Sequence, residues 1–488
     1  MFLVATGLSA TGSAPALAAG CSSSVSPDFN GDGARDAVVA DPEATVAGVT
    51  EAGALHIVYG DGEVVNLTQE SAGIPGVPEK GDRYGQAIAV GDLNSDGCSD
   101  LVVGTPYEDI GTEADAGAVH VVYGAEGGLN SGPSVTEYVQ GSGGGTVGNS
   151  VAEAGDTFGY SVAAGDTASG EPYLLMGVPG EDIGDVVDAG SAHYIRNGVD
   201  AAIHQDKTGM PNPSEQDDRL GFAVAASPRH IALGRPGENG FAGNVVILSH
   251  TVDSNGLPTT VAGIDQSTPG INGAEEPGDR FATSLTVVPY GGDAPGDSIV
   301  VVGVPYEDTS TGEDAGRVVS LHVTAAGQVV QLEDIHQSVA GVTGVGEDGD
   351  YFGQQITAVN RDPGAPGSTD TALLAVGIPG EDIDETQDAG SIEVFPLLGA
   401  PGDHEVVVEP GTVGLPGQAD AHEYLGTSIR AKGNSLYVGV PYGPDTDRAA
   451  HSVPWGNILD GGAAIVTSWT PGQDGVPAGG TAFGAVVL

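Results

Sequence analysis

The sequence predicts an all-β protein, a seven-bladed β-propeller with about four antiparallel strands per blade. Three observations predict it. Short anchors recur at intervals of 61–74 residues, each interval holds about four runs rich in Val, Ile and Tyr, and helical spacing appears nowhere over a useful length. The 81 glycines and 31 prolines among 488 residues fall in register with the anchors, so they mark tight turns rather than disorder.

The first anchor is an acidic-aromatic-glycine turn: Gly81-Asp82-Arg83-Tyr84-Gly85, Gly155-Asp156-Thr157-Phe158-Gly159 and Asp217-Asp218-Arg219-Leu220-Gly221. It returns as Gly278-Asp279-Arg280-Phe281-Ala282, Gly349-Asp350-Tyr351-Phe352-Gly353 and His422-Glu423-Tyr424-Leu425-Gly426, with a last fragment at Ala482-Phe483-Gly484. The second anchor is an apolar run closed by Gly-x-Pro or a variant, at Pro42, Pro106, Pro179, Pro236, Pro305, Pro379 and Pro441. The third is Ala-Gly or Gly-Gly before another apolar run, at Gly53, Gly117, Gly190, Gly243, Gly316, Gly390 and Gly461-Gly462. Two anchors with seven copies each make a seven-fold repeat.

In one unit the runs fall around 85–91, 101–105, 118–123 and 135–140, bounded by turn residues as strands are. Four short strands repeated seven times is propeller arithmetic. The rival is a parallel β-helix, whose repeats would be shorter and whose loops less acidic. Two closures of the ring stay open. Either residues 22–27 supply a first strand and Ala482–Leu488 ends blade seven, or the run at Phe483-Gly484 pairs with the N-terminal blade as a clasp.

Residues 1–20, MFLVATGLSATGSAPALAAG, are small and apolar and contain Ala16-Leu17-Ala18, which reads as a secretory signal peptide with an A-x-A-like cleavage site. Residues 21–488 then form a single propeller domain outside the cell, and no other stretch has the ~18 apolar residues needed to span a bilayer. Cys21 and Cys98 are the two cysteines; they pair in that oxidising setting, or Cys21 carries a lipid after the loosely lipobox-like Ala18-Ala19-Gly20.

Two loops carry coordination chemistry. Asp28-Phe29-Asn30-Gly31-Asp32-Gly33-Ala34-Arg35-Asp36 and Asp92-Leu93-Asn94-Ser95-Asp96-Gly97-Cys98-Ser99-Asp100 share oxygen side chains at positions 1, 3, 5 and 9. Calcium takes about 6–8 oxygen ligands, and alternate positions of a tight loop aim theirs at one centre. The expected ligands are Asp28, Asn30, Asp32 and Asp36 in the first loop and Asp92, Asn94, Asp96 and Asp100 in the second, with backbone carbonyls from Ala34 and Cys98. Glycine at position 6 permits the turn. The bland alternative is a pair of Asx-rich turns that hold water. The other five units lack the ligands, as Gly165-Asp166-Thr167-Ala168 and Gly433-Asn434-Ser435 illustrate.

Taken together, the Phe-Gly, Gly-x-Pro and D-x-N-x-D-G-x-x-D patterns resemble the FG-GAP repeat propeller, as in the ligand-binding head of integrin α-subunits and in secreted integrin-like bacterial proteins. The resemblance covers residues 22–488. It implies seven blades with calcium in the hairpin between the first two strands of a blade. This sequence departs from the pattern in keeping only two calcium loops, in Leu220 and Leu425 at the aromatic place, and in Ala282 for a glycine.

With 14 Lys+Arg against 67 Asp+Glu, the net charge of −53 argues against nucleic acid and anionic membranes as partners. Asp109, Asp182, Asp308 and Asp382 each precede a second Asp by six residues, at Asp115, Asp188, Asp314 and Asp388, in loops opposite the calcium hairpins. Glu79, Glu153, Glu215, Glu276 and Glu347 add to that end. It reads either as a solvated surface or as a site for a cationic or multivalent ligand, a protein or surface glycan; the resemblance places ligand-binding loops on the same face. No G-x-S-x-G, H-E-x-x-H or P-loop is present, so the chain is expected not to be an enzyme. The alternatives are a hydrolase with a carboxylate pair in the channel and a purely structural envelope protein. The leading reading is a secreted, calcium-binding, integrin-like propeller that adheres to a macromolecule.

Overall fold

The computed structural model describes residues 21, 25–290, 296–362, 365, 367–444 and 447–488. Its strands form seven separate four-stranded antiparallel sheets, the blades of a propeller. Blade two runs outward from the axis as Ala87–Gly91, Asp100–Thr105, Ala118–Val122 and Thr136–Tyr138, close to the runs read from the sequence. The second strand, DLVVGT, is buried at every residue. Neighbouring blades cover both its faces, which is why it reads as a continuous apolar run rather than an alternating one. Three helices of four to six residues are the helical content among the described residues.

With one exception, the anchors meet at the joints between blades. Phe158 N–H of the third blade's turn donates to the Ala116 carbonyl of blade two (2.9 Å), and Tyr84 does the same to Ala52 (3.0 Å). Gly117 sits at φ +89°, and a Cβ there would collide with the Phe158 backbone. Gly104, of the Gly-x-Pro anchor, lies against the Gly159 carbonyl with no room for a side chain. The buried aromatic rings wedge between blades, with Phe158 meeting His193 edge-on at 5.7 Å. Gly117→Ala is therefore expected to cost about 3 kcal/mol by urea denaturation, from left-handed strain plus overpacking. Gly111→Ala, at φ +67° with open space around it, isolates the strain and is expected to cost about 1 kcal/mol.

The ring closes by the clasp. Val486–Val487 forms the innermost strand of blade one, pairing Val487 with Val39 and Val486 with Ala40. Blade seven is complete without it: Ser428–Lys432, Ser435–Val440, Ala449–Pro454 and Thr467–Trp469. One anchor is corrected here. Gly461-Gly462 does not open the third strand of blade seven, which begins at Ala449 after Arg448. Gly461 instead caps the helix Trp455–Asp460 in the left-handed conformation, at φ 62°. A local motif marks a turn, and a helix end needs the same glycine as a strand entry.

Candidate functional site

The two Asp loops repeat each other almost bond for bond. Asp28 accepts from Gly31 N–H (2.7 Å) and Gly33 N–H (2.9 Å), Asn30 Oδ1 from Asp32 N–H (3.1 Å), and Asp32 Oδ1 from Ala34 N–H (2.7 Å). Likewise Asp92 accepts from Asp96 and Gly97 N–H (3.1 and 2.9 Å), Asn94 Oδ1 from Asp96 N–H (2.9 Å), and Asp96 Oδ1 from Cys98 N–H (2.9 Å). The ninth-position carboxylates anchor the loops to their blades. Asp36 takes Phe29 and Gly60 N–H, and Asp100 takes Leu93 and Gly124 N–H.

The donors fit a hard cation in kind: all are oxygens, and each carboxylate oxygen keeps a second lone pair. Burial raises Asp36 to about 6, and the charges of Asp28 and Asp32 add to it. Asp100 is likewise raised to about 7, with Asp92 and Asp96 contributing. Among the described residues no three His, Cys, Asp or Glu side chains converge as a metal cluster. The side chains stand turned onto loop amides.

Sequence spacing alone did not show that the two loops are one structural unit. Ser99 N–H donates to the Asp28 carbonyl (2.9 Å), and Asp28 N–H to Ser99 Oγ (3.1 Å). A disulfide joins Cys21 to Cys98 with Cα atoms 4.8 Å apart, taking the thiol that a lipid anchor would need. Cys21 is wedged between the loops, so that a Cβ on either Gly31 or Gly97 would collide with it.

At the opposite end, the paired aspartates prove to be loop architecture. Asp115 N–H donates to Asp109 Oδ1 (3.0 Å), and Asp188, Asp314 and Asp388 repeat the bond to Asp182, Asp308 and Asp382 (2.8–2.9 Å). The second Asp of each pair has φ of 48–54°. The six-residue spacing thus reflects a capped loop. The glutamates beside them point inward and receive a glutamine from the preceding blade: Gln69 to Glu108 (2.6 Å), Gln140 to Glu181 (2.5 Å), Gln266 to Glu307 (2.5 Å) and Gln337 to Glu381 (2.6 Å). In blade four the tie Gln205–Glu238 is joined by Arg235, which is fully buried and 2.8 Å from Glu238.

Burial is the main cause of raised carboxyls along these joints, with neighbouring carboxylates adding to it. Asp82 stands at about 6, Glu181, Asp279 and Asp350 at about 7, and Glu108 and Asp156 at about 8. The folded state therefore holds protons that the unfolded chain releases near pH 4. Their contribution to stability is whole below that pH and is lost as pH rises through 6–8. One such group held two units high changes stability by about 2.7 kcal/mol. Denaturation midpoints in calcium-free buffer are expected to fall steadily from pH 5 to pH 8.

Inside the acidic rim the mouth of the ring is aromatic, which the sequence reading missed. A cavity of about 420 Å³ is lined by Tyr351, Tyr424, Tyr442, Arg83 and Glu43. Arg83 lies over the Tyr107 ring (5.6 Å) and Arg280 over Tyr306 (4.6 Å), while Tyr306 meets Tyr351 edge-on (5.4 Å). Tyr160 faces Tyr107, Tyr306, Arg219 and Arg83, and burial first raises its phenol to about 12. The available signal was a Pro-Tyr step after the second anchor, at Tyr107, Tyr306 and Tyr442. The channel below is lined by Ala, Val and Leu with Thr286, Thr357, Asn360, Arg430 and Lys432, and among the described residues its lining includes no carboxylate.

The FG-GAP repeat model matches residues 84–122, from the aromatic of the first anchor through the second Asp loop to the third strand of blade two. Blade two therefore carries an FG-GAP repeat. Phosphatidylinositol-glycan-specific phospholipase D of Mus musculus is 37% identical over 115 residues, 23% of this chain and 14% of that protein. The Bos taurus enzyme of the same name is 33% identical over 166 residues, 32% and 18%. Integrin alpha-5 of Xenopus laevis is 34% identical over 162 residues, 32% and 14%. The matches thus span less than a fifth of these relatives. A solved periplasmic gluconolactonase of Pseudomonas aeruginosa aligns over 92% of this chain and 96% of its own, at 12% identity and a TM-score of 0.43, a likeness that carries no functional information.

The FG-GAP propeller is thus shared with integrins and with proteins named as enzymes. The expectation that the chain is not an enzyme is corrected: phospholipases D share its repeat at 31–37% identity. Missing motifs exclude only the chemistries those motifs serve, and residues converging from separate loops leave no local pattern. Residues 1–20, expected to be a signal peptide, lie outside the described residues. Among those described, no helix is long and apolar enough to cross a membrane.

Proposed function

We propose that this FG-GAP propeller is secreted, binds calcium at the paired loops Asp28–Asp36 and Asp92–Asp100, and holds a cationic segment of a macromolecular partner at its tyrosine-lined mouth. The observation that carries the partner reading is the mouth itself. Tyr351, Tyr424 and Tyr442 surround a cavity that Glu43 and Arg83 also line, and the carboxylates of Asp314 and Asp388 act on Tyr351. Aromatic faces attract a Lys or Arg head by about 0.5–2 kcal/mol each, and the rim steers it there. Calcium would be held by Asp28, Asn30, Asp32 and Asp36 with the Ala34 carbonyl, and by Asp92, Asn94, Asp96 and Asp100 with the Cys98 carbonyl. Its chemistry there is charge neutralisation and loop ordering. The Cys21–Cys98 disulfide supports an oxidising compartment.

Fluorescently labelled oligolysine, oligoglutamate and a neutral glycan polymer serve as probes. Oligolysine is expected to bind, and Tyr351→Ala with Tyr424→Ala to weaken it about tenfold or more. Retention of the glycan instead would turn the reading to a carbohydrate surface, and binding of neither would overturn it. The phospholipase-named relatives favour a second reading, in which the propeller serves hydrolysis of a phosphatidylinositol-glycan anchor. Release of an anchored reporter from membranes by the purified chain would support that reading, and no release would contradict it.

A further inference from the structure

Blade seven places two cations in the channel. Its inner strand reads Ser428-Ile429-Arg430-Ala431-Lys432, with Ile429 and Ala431 buried. Alternation along a strand puts Arg430 and Lys432 on the same side, and both line the central cavity of about 380 Å³. That volume lies within the ~300–1,000 Å³ of small-molecule sites. The facing walls are short and apolar, among them Ala89, Ala163, Ala225 and Val287.

In a chain with 14 Lys+Arg against 67 Asp+Glu, basic groups find carboxylates easily. Arg83, Arg196, Arg219, Arg235 and Arg317 all do. Among the described residues, neither Arg430 nor Lys432 has a carboxylate partner, and the charged or titratable groups acting on them are Arg35, Tyr173 and each other. Burial first, and then the charges of Arg430 and Arg35, lower the Lys432 ammonium to about 8, as expected where like charges gather without a counterion. The channel's polar side chains Thr357 and Asn360 are already engaged. Thr357 Oγ1 accepts from Ala431 N–H (2.9 Å), and Asn360 donates to the Ala365 carbonyl (3.0 Å). Among the described residues, Arg430 and Lys432 are thus cationic donors without a counterion, on one wall of a largely apolar tube.

We propose that the central channel binds a small organic anion with an apolar body, its acid group held between the Arg430 guanidinium and the Lys432 ammonium. Guanidinium and ammonium together give an acid group charge-assisted hydrogen bonds, while the Ala and Val walls strip water from the body. This site is separate from the tyrosine-lined mouth and from the Asp loops, and stands whether or not those bind as proposed.

The test is calorimetric titration of the full chain at pH 7 with octanoate, octanol and inorganic phosphate. Octanoate is expected to bind one per chain, and octanol and phosphate about tenfold more weakly or worse. Arg430→Gln and Lys432→Gln are each expected to weaken octanoate about tenfold, and Lys80→Gln, an exposed cation outside the channel, to leave it unchanged. Octanoate binding no better than octanol overturns the cationic site, and phosphate binding as well as octanoate overturns the apolar body. These ligand comparisons use the natural chain, so a variant that fails to fold does not shield the proposal. Unchanged affinity in both folded channel variants also overturns it.

Discussion

Deletion of Ala485–Leu488 is expected to abolish cooperative folding or to lower the melting temperature by more than any single core substitution. These residues are four of 488, yet they close the ring. Val38 N–H donates to the Leu488 carbonyl (2.8 Å) and Leu488 N–H to the Val38 carbonyl (3.0 Å). Val487 and Leu488 are buried, 5% and 2% exposed. Two such side chains contribute about 3–6 kcal/mol, and the lost ladder bonds about 1 kcal/mol each. The sum is comparable with the whole stability of many domains, about 5–15 kcal/mol. The deletion also leaves Ala37–Asp41 as a bare edge facing the channel, an invitation to pairing with a second chain. Circular dichroism melts and light scattering of the truncated chain check both effects. An unchanged melt would mean that the other blades hold the ring without the clasp.

Much of this fold was legible because, with one exception, each anchor is a requirement of a joint between blades. Gly117 must be glycine beside the Phe158 backbone, and Gly104 must be glycine beside the Gly159 carbonyl, so a periodic contact became a periodic motif. What is not periodic was not legible. Whether Val486–Val487 pairs with blade seven or blade one depends on a partner more than 440 residues away. Arg430 and Lys432 occur in one inner strand of seven, and their shared side matters only once that strand is known to line the channel. The aspartate pairs are a different case. Their spacing was plain in the sequence, but the bond from Asp115 N–H to Asp109 shows a cap, a role that aspartate plays as readily as binding. At the Asp loops the ligand types and the turn glycines were legible, whereas the wedge of Cys21 between them was not.

Calcium is the second large effect. The ion is proposed to bind the folded loops and not the unfolded chain, so each site stabilises by about 2.7 kcal/mol at a hundredfold excess over its dissociation constant, and two sites by about 5 kcal/mol. Part of that gain comes from the carboxylates themselves: Asp36 and Asp100, held at about 6 and about 7, feel their neighbours' charges, which a divalent ion would offset. Chelation is therefore expected to lower the melting temperature by several degrees, and more at pH 8 than at pH 5, where protons already neutralise part of the loops. The most direct measurement is calorimetric titration of chelator-stripped protein with calcium, on the natural chain and on Asp32→Ala and Asp96→Ala. Two ions per chain are predicted, falling to one in each variant and to none in the double variant, with melting temperature following occupancy. No binding heat together with a melting temperature indifferent to calcium would contradict the account.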